Sequence, residues 1–402
     1  MTTIADANLK LTSKEWGVLV LLAAINFTHT MDFVMVIPMG PKLIQKLHIT
    51  PAEVGHIISA YTISAAIFGL IGAGIIDRID RKKMLIISFF GLIAGTLCCA
   101  YAETYIQLLL ARAFAGASGG FVASLIYTYV GDYVAEHKRG TATGIVMNAY
   151  ALASIVGIPL GLYLANTYNW NSPFLYLSAL GIVFWVVAIF KLPSLPITQK
   201  TTSPLKVYTS IFINPNAQRA LLFITLLTLS GFAVIPFVST FVVVNAGLPE
   251  QHLLYMYLIS GVLNFFTSPL TGRLADQYGK IKIFSIVAIL SAFPILILST
   301  YNHVPEVIIL LTTTLLLLFF AARYVPAMAL ITSSIAREER GAFLTIINSA
   351  QQMTMGLSSF LGGLFIYTLT SGQLSGMITD AAISAIAVLL SVLVARKIKI
   401  LS

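Results

Sequence analysis

Hydrophobic residues occur along the chain in long, nearly uncharged runs that are separated by short polar connections. A helix needs about 20 mostly apolar residues to cross the roughly 30 Å hydrocarbon core of a bilayer, and twelve runs reach that length. The pattern predicts an all-α membrane protein with twelve transmembrane helices. The predicted spans lie at residues 16–38, 53–76, 84–102, 105–130, 141–165, 173–192, 219–244, 252–272, 281–301, 305–333, 342–369 and 376–395.

The composition supports the same class of protein. Of the 402 residues, 58% are hydrophobic and 10% are charged, and the mean hydropathy is +0.90. Soluble domains contain about 45–50% apolar residues. Because the connections between the runs are short, we expect no sizeable soluble domain, and the lipid bilayer is the expected environment of nearly the whole chain.

Most basic residues fall on one side of the predicted membrane. When the spans alternate in direction, 20 of the 24 lysines and arginines lie on the side of the chain termini. The opposite side has Lys42 and Lys46, whereas Arg112 and Arg323 lie within spans. By the positive-inside rule the basic side is cytoplasmic, which predicts a protein of the inner membrane with both termini in the cytoplasm. Bases dispersed between apolar runs indicate topology and not a nucleic-acid partner.

A connection rich in Pro, Ser and Thr divides the chain into two similar halves. We predict an N-terminal six-helix bundle at 1–192, a cytoplasmic linker at 193–217 and a C-terminal six-helix bundle at 218–402. The segment around Asp77 returns 199 residues later around Asp276, and Arg139, which precedes a glycine, returns as Arg340. Internal repeats of this kind are typical of transporters with a site between the repeats.

The repeated motifs resemble the signatures of the major facilitator superfamily. They are GRLADQYGK at 272–280, AGIIDRIDRK at 73–82, Leu108-x-x-x-Arg112-x-x-x-Gly116, and GIPLG at 157–161. The resemblance covers essentially the whole chain and is strongest to twelve-span drug:proton antiporters and arabinose-efflux-like permeases. It implies two pseudo-symmetric six-helix bundles. The chain departs from the pattern at Ala73 and Asp80, where the first-half signature has glycine, and at Pro159, which lies one place later than in the common antiporter form.

The charged motif after the second span is expected to act as a conformational latch. Asp77 lies at the C-terminal end of its span, where the helix dipole disfavours a carboxylate, so a partner is expected. The start of the eleventh span, after Arg340, offers free N–H groups, and Asp276 is expected to make the equivalent contact at the start of the fifth span. The alternative is that these residues only anchor loops. The latch residues that the resemblance implies are Asp77, Arg78, Arg81, Asp132, Gly272, Asp276 and Arg340.

Asp32 is the only acid well inside a predicted span, where an ionised group costs about 2.5–3.5 kcal/mol. Arg112 lies at a similar depth in the fourth span, so we expect the two side chains to pair and Asp32 to carry a proton. This matches the pattern of the superfamily. His29 lies one turn from Asp32 and is a candidate proton relay, although a lone histidine is more often a plain hydrogen-bonding residue. The alternative for Asp32 and Arg112 is a static structural ion pair.

A further set of residues is expected to contact substrate or shape the cavity. Arg323 is too deep in the tenth span to reach the surface, so it is expected to be a countercharge for substrate or a donor to broken backbone near Pro326. The other candidate substrate-binding residues are Asn148, Asn264, Gln351, Gln352, Phe33, Met35 and Tyr61. The small residues and proline of the antiporter-type motif, Gly157, Pro159 and Gly161, are expected to bend the fifth span and to allow close packing.

These features favour a secondary active transporter that exports a small, largely apolar molecule in exchange for protons. Proton-coupled uptake and, less favoured, a non-transporting receptor remain as alternatives. One embedded acid suggests one proton per cycle. The chain has no phosphate-binding loop, H-E-x-x-H motif or nucleophile elbow, so no enzyme activity, catalytic residue, metal or cofactor is expected. The expected partners are a small-molecule substrate, protons and lipid, and the expected state is a monomer.

Overall fold

The computed structural model describes residues 11–75, 79–195, 211–336 and 339–401. Within these ranges the chain folds into twelve long helical segments, numbered here in chain order. They are α1 Ser13–Leu47, α2 Pro51–Ile75, α3 Arg81–Ala100, α4 Tyr105–Tyr133, α5 Glu136–Thr167, α6 Ser172–Lys191, α7 Pro215–Val244, α8 Glu250–Tyr278, α9 Lys280–Leu298, α10 Glu306–Thr332, α11 Arg340–Phe365 and α12 Met377–Ala395. The predicted all-α class is confirmed.

Eleven of these segments are long and apolar enough to cross a membrane. The twelfth, α11, has 26 residues and is about 39 Å long, but it is less apolar than the other segments. Its polar residues have protein neighbours, because α11 packs against α2 and α7. Between α11 and α12 the chain forms a small antiparallel ribbon, Tyr367–Thr368 (β1) with Leu374–Ser375 (β2), so the predicted span at 342–369 ends early.

Side-chain caps explain where several helices begin. Thr12 and Thr104 each accept a hydrogen bond from the third residue of the helix that follows, and the side chains of Glu15 and Gln107 reach back to the cap, which completes a capping box at α1 and α4. Asp80 accepts a bond from a backbone N–H in the first turn of α3. These caps satisfy N–H groups that have no partner inside the helix.

Three segments are interrupted near a proline. In α1 a 3-10 turn at Ile37–Met39 contains Pro38, and the helix resumes at Gly40–Leu47. In α5 a π-helical turn at Ala153–Gly157 precedes Pro159, and in α7 the helix breaks after Phe232 and resumes at Ile235–Val244. Proline lacks the N–H that a continuous helix needs, so these positions free backbone carbonyls inside the bundle.

The two six-helix halves meet through α2 with α11, α5 with α8, and α1 with α7. We call the end of the bundle that carries the chain termini the terminus end, and the other the distal end. At the distal end the halves touch: Lys42 pairs with Glu250 at 2.9 Å, and a Cβ added at Gly363 would lie 3.1 Å from the carbonyl oxygen of Ala52. Farther from the distal end, α8 packs against α5 at the π-helical turn.

The terminus end is open between α5 and α8, because the part of α5 that precedes its π-helical turn does not pack closely against α8. Gly140 and Gly144 at the start of α5 and Gly341 at the start of α11 border open space, because an added Cβ would meet no atom within 4 Å. The structure therefore represents a state that is closed at the distal end and open at the terminus end.

Candidate substrate and coupling site

The two charged side chains expected to pair in the first half are in contact. Arg112 Nη1 donates to Asp32 Oδ2 at 3.0 Å and to the Asp32 carbonyl oxygen at 3.0 Å. The hydroxyl of Thr96 donates to Asp32 Oδ1 at 2.7 Å. Both charged residues are fully buried. Each carboxylate oxygen of Asp32 thus has a donor, and burial, which favours the neutral acid, is opposed by Arg112 and Thr96, which favour the carboxylate.

Close approach of α2 to α4 positions an aromatic ring over the arginine. A Cβ at Gly116 would collide with the backbone of Tyr61, and a Cβ at Gly120 would collide with the backbone of Ala65. Only glycine allows the two helices to come this close. The centre of the Tyr61 ring lies 4.2 Å from Arg112 Cζ. This cation–π contact helps to fix the position of the guanidinium.

Polar groups without partners surround the ion pair. Both ring nitrogens of His29, the hydroxyl of Tyr61 and Nε of Arg112 are buried and have no hydrogen-bond partner among the residues that the structure describes. A Cβ added at Gly119 would lie 2.7 Å from the Tyr61 hydroxyl oxygen and 3.3 Å from His29 Nε2, so both groups pack against Gly119. His29 does not bond directly to the aspartate, and a relay through it would need an intervening water.

In the second half, Arg323 is buried without an acidic partner in the described part of the chain. Its Nη1 donates to Ser291 Oγ at 2.9 Å, and its Cζ lies 4.2 Å from the centre of the Phe320 ring. The bond to Ser291 replaces the expected alternative of a bond to broken backbone near Pro326. A buried guanidinium with one neutral hydrogen bond and no counter-ion is suited to bind an acceptor group on a ligand.

Phe33 connects the two buried arginines across the halves. Its ring stacks on Tyr61 with a centroid distance of 5.6 Å and on Phe232 of α7 with a centroid distance of 6.2 Å. The residue before Phe232, Gly231, faces Arg323: an added Cβ would lie 3.7 Å from Arg323 Nη2. The centre of the bundle is therefore an aromatic contact with one arginine on each side.

Three tyrosines that were not predicted as site residues lie near one another on helices of both halves. The hydroxyl of Tyr324 donates to Gln351 Oε1 at 2.8 Å, and Tyr127 and Tyr150 lie close enough to interact with Tyr324 electrostatically. These residues come from α4 and α5 of the first half and from α10 and α11 of the second, so both halves contribute to one cluster. Their signal in the sequence is a polar aromatic residue in the middle of a span, where lipid contact alone would not require a hydroxyl.

The remaining predicted pocket residues lie in different surroundings. Met35 is buried and packs between α1 and α5, so it is a packing residue in this state. Asn148 is exposed on α5. Asn264 is half-buried on α8 with no hydrogen-bond partner for its Oδ1 among the described residues, and Gln352 is half-buried on α11. No direct contact joins the last three to either arginine in the described ranges.

The small residues of the antiporter-type motif lie where α5 crosses α1. Added Cβ atoms at Gly157 and Gly161 would meet Met31, with Met35 a further neighbour of Gly161. Pro159 follows the π-helical turn, which contacts α8: a Cβ at Gly261 would lie 3.0 Å from the carbonyl oxygen of Ser154. Turns of this type occur often at functional sites, and here the turn is part of the contact between the halves.

The latch residues are only partly within the described chain. Arg81 Nε pairs with Asp132 Oδ2 at 2.6 Å, which joins the start of α3 to the end of α4. Asp77 and Arg78 lie outside the described residues. Asp276 is exposed at the end of α8 and makes no hydrogen bond or ion pair with described residues, so the expected contact with the start of α5 is not formed in this state. The terminus ends stand apart here, which removes its partner.

The two other latch residues have local roles. Gly272 faces α10, with Val325 Cγ1 3.5 Å from an added Cβ. Arg340 is the first residue of α11 and is half-buried. Neither bridges the halves through a contact that the described residues show.

One buried acid was not predicted from the sequence. Asp380 in the first turn of α12 is fully buried, and neither carboxylate oxygen has a hydrogen-bond partner among the described residues. Its place four residues from the start of a predicted span suggested a group at the membrane surface. The expectation of a single embedded acid is therefore wrong.

Two six-helix halves that meet around buried charges, with one end closed and the other open, define a secondary transporter that works by alternating access. Comparison with known proteins agrees. The model of the Major Facilitator Superfamily matches residues 22–309 and 255–399, so the chain belongs to this superfamily. Its members are transporters and not enzymes, and the protein is a multi-pass membrane protein.

Individual relatives are distant but cover nearly the whole chain. An uncharacterized MFS-type transporter of Bacillus subtilis, YceJ, is 25% identical over 352 residues, which are 87% of this chain and 89% of the relative. The structure of a D-xylose-proton symporter superposes with a TM-score of 0.77 at 16% identity, covering 94% of this chain and 97% of that one. An inward-facing bacterial homologue of the lysosomal transporter Spinster gives 0.70 at 13% identity, covering 97% and 98%. The structural likenesses establish the fold.

Proposed function

We propose that the protein exports a small, largely apolar molecule in exchange for protons, and that Asp32 carries the proton. The observation that supports this most directly is the buried contact of Asp32 with Arg112 and Thr96. The protonation state of Asp32 depends on a balance between burial, which favours the neutral acid, and the two donors, which favour the carboxylate. Entry of water or separation of the pair changes that balance, which is what a carrier needs as the halves rock.

Protonation of Asp32 releases Arg112. A neutral carboxyl group no longer holds the guanidinium by charge, so Arg112 is free to turn toward the cavity, where Tyr61 and Phe33 already line its path. In the cavity the released guanidinium occupies space that a largely apolar substrate would fill, so binding of a proton and binding of substrate favour different arrangements of one set of side chains. This mutual exclusion is the requirement for antiport.

The proposed substrate site lies between Arg112 and Arg323. Phe33, Phe232 and Phe320 supply an apolar surface, and Arg323 is the charged group that has no acidic partner in the described chain. Charge complementarity favours a neutral, zwitterionic or anionic molecule over a cation. We place Asn148, Asn264, Gln351 and Gln352 at the edge of this site.

The terminus end is proposed to face the cytoplasm of a cell whose inner membrane holds the protein. Its excess of basic residues supports this orientation, with 193–217 as a cytoplasmic linker between halves at 1–192 and 218–402. The state seen here would then be open to the cytoplasm, ready to load a substrate for export, and the latch residues would form their contacts when this end closes. We propose that the transporter acts as a monomer.

The membrane potential supplies enough energy for this task. One charge crossing 100 mV is worth about 2.3 kcal/mol, which supports roughly a fifty-fold gradient of a neutral substrate. Proton-coupled uptake is the alternative, since a structural neighbour is a D-xylose-proton symporter and the Pro159 motif differs from the common antiporter form.

The sign of proton movement separates the two directions. Purified protein in weakly buffered proteoliposomes, with no imposed gradient, is given a panel of candidate substrates while external pH is recorded. Antiport acidifies the outside as substrate enters, symport makes it alkaline, and Asp32→Asn abolishes the change. Glu103→Gln, an exposed acid in the connection before α4, is the matched control and should behave as the wild type. Equal proton movement in Asp32→Asn would exclude Asp32 as the carrier.

A further inference from the structure

Asp380 lies buried at the junction of α12 with α7 and α11. An added Cβ at Gly362 of α11 would lie 3.4 Å from Asp380 Oδ2. One turn further along α12, the hydroxyl of Ser384 donates to the carbonyl oxygen of Ser230 on α7. The carboxyl group is thus enclosed by two neighbouring helices, yet neither of its oxygens has a donor among the described residues.

The surrounding elements bring no countercharge to this carboxyl group. Two titratable side chains lie in the distal part of α2, and both have other partners: Glu53 accepts hydrogen bonds from Thr50, and His56 bonds to Tyr105. Within the described ranges no lysine, arginine or histidine of α7, α11 or α12 forms an ion pair with Asp380.

The other charged residues of α7, α10 and α11 are placed elsewhere. Arg219 and Arg340 lie at the terminus ends of α7 and α11, and Arg323 of α10 bonds to Ser291. An ionised carboxylate in such a setting would be uncompensated, whereas a protonated one needs only an acceptor.

The break in α7 leaves a free acceptor near this carboxyl group. The N–H of Phe237 bonds to the carbonyl of Val234, so the carbonyl of Ala233 lacks its usual helical partner. The same added Cβ at Gly362 would lie 2.8 Å from the Ala233 carbonyl oxygen, so this oxygen and the Asp380 carboxyl group flank one point. Carbonyls freed by broken helices commonly serve as sites for coupling ions in transporters.

We infer that Asp380 is a second proton-binding site, in the second half, which is occupied in the distal-closed state. The next residue after Gly362, Gly363, packs on Ala52 of α2. Opening of the distal end separates α2 from α11 at this contact and admits water beside Asp380, so its proton is taken up from and lost to the distal side and does not cross the membrane. The inference goes beyond the proposed function: Asp32 carries the exchanged proton, and Asp380 makes closure of the distal end depend on the pH of the distal side.

Infrared spectroscopy of the purified wild-type protein tests the occupied state without transport. We expect the carbonyl stretching band of a protonated carboxylic acid at neutral pH. The band should disappear in Asp380→Asn, whose neutral amide mimics the protonated acid, and should be unchanged in Glu103→Gln. A band of wild-type intensity in Asp380→Asn, or no band in the wild type, overturns the inference. Conversion of the band to a carboxylate on adding NaCl at constant pH also overturns it, because the site would then take a metal cation.

A second measurement needs no substitution. A hydrophobic carbodiimide adds to protonated, buried carboxyl groups, so peptide mapping of treated wild-type protein should find Asp380 modified at neutral pH and unmodified at strongly alkaline pH. The accessible, ion-paired Asp132 should stay unmodified. Modification of Asp132 without Asp380 contradicts the inference.

Exchange at controlled distal pH separates this inference from the proposed function. If both hold, Asp32→Asn abolishes proton movement, and its exchange of labelled for unlabelled substrate still slows as the pH on the distal side falls; adding Asp380→Asn to this variant removes that dependence. A dependence on distal pH that persists in the double variant refutes proton exchange at Asp380. Absence of proton movement in the wild type refutes the proposed function, while the infrared result still decides whether Asp380 holds a proton.

Discussion

Gly55 on α2 offers a direct test of the distal-closed state, because it touches the other half only when that end is shut. A Cβ at Gly55 would lie 2.5 Å from the carbonyl oxygen of Ser359 on α11 and 3.0 Å from Phe237 Cζ on α7. Ordinary contacts of a Cβ are 3.4–4 Å, so Gly55→Ala forces backbone atoms of α11 to move. Both neighbours belong to the second half, so the clash vanishes when the halves separate.

The expected shift follows from the size of the clash. Overpacking by a methyl group costs about 1–3 kcal/mol, and this penalty falls on the distal-closed state alone. A difference of that size changes the ratio of the two states by about 5- to 150-fold toward distal-open. The helix-propensity gain of alanine over glycine, about 1 kcal/mol, is common to both states and cancels.

Distance measurements between spin labels at Gln45 and Ser371 report the distal opening. These exposed positions lie in different halves at that end, and labelling uses a background in which Cys98 and Cys99 are replaced by alanine. Gly17→Ala is the control, since an added Cβ there meets no atom within 4 Å. We expect longer distances only in Gly55→Ala. Identical distributions in both variants and the wild type would refute the assigned closure.

Three further substitutions test packing and charge separately. Arg112→Gln leaves the buried Asp32 without its partner, so the free energy of unfolding should fall by about 3–5 kcal/mol at neutral pH. The loss should shrink at lower pH, where the carboxylate is neutralised, and a pH-independent loss would contradict the pairing. Gly116→Ala pushes α4 against the backbone of Tyr61 within one half, so it should lower thermal stability without the spin-label shift, and a shift like that of Gly55→Ala would count against this distinction. Glu250→Gln removes the partly exposed ion pair with Lys42, which is worth about 1 kcal/mol or less. The distal-open fraction should therefore rise by at most about five-fold at low salt and should not change at high salt, where the pair is screened.

The sequence was sufficient for the architecture because membrane spans obey a single strong rule. Apolar runs of about 20 residues predict helices, and their number gave the two six-helix halves. The run at 342–369 is the instructive exception, because α11 ends at Phe365 and a ribbon follows. Tertiary contacts with α2 and α7, which hydropathy does not register, stabilise a span with so many polar residues.

The contact of Asp32 with Arg112 was predictable because two charges at equal depth in lipid have few other partners. The surroundings of this ion pair were not predictable from the sequence. Tyr61 reaches the pair only because glycines on α4 let α2 approach, and Thr96 reaches it from α3, where Gly95 packs against the backbone of Ala115. Both contacts depend on three-dimensional packing. Asp380 was missed for a related reason, since distance from the end of a span measures depth in the membrane but not enclosure by neighbouring helices.

The predicted contact of Asp276 with the start of α5 illustrates a different limit. Sequence symmetry relates Asp276 to Asp77, but it does not specify which conformation a structure adopts. In a state that is open at the terminus end, the two surfaces that such a latch would join are apart, and Asp276 is exposed.

The coupling role of Asp32 is tested most directly by comparing two modes of transport in proteoliposomes that contain Asp32→Asn. Exchange of labelled for unlabelled substrate needs only alternating access, whereas accumulation driven by a pH gradient also needs a proton carrier. We predict that the variant keeps exchange at a rate comparable to the wild type and loses accumulation. Accumulation by Asp32→Asn at the wild-type level would contradict the account.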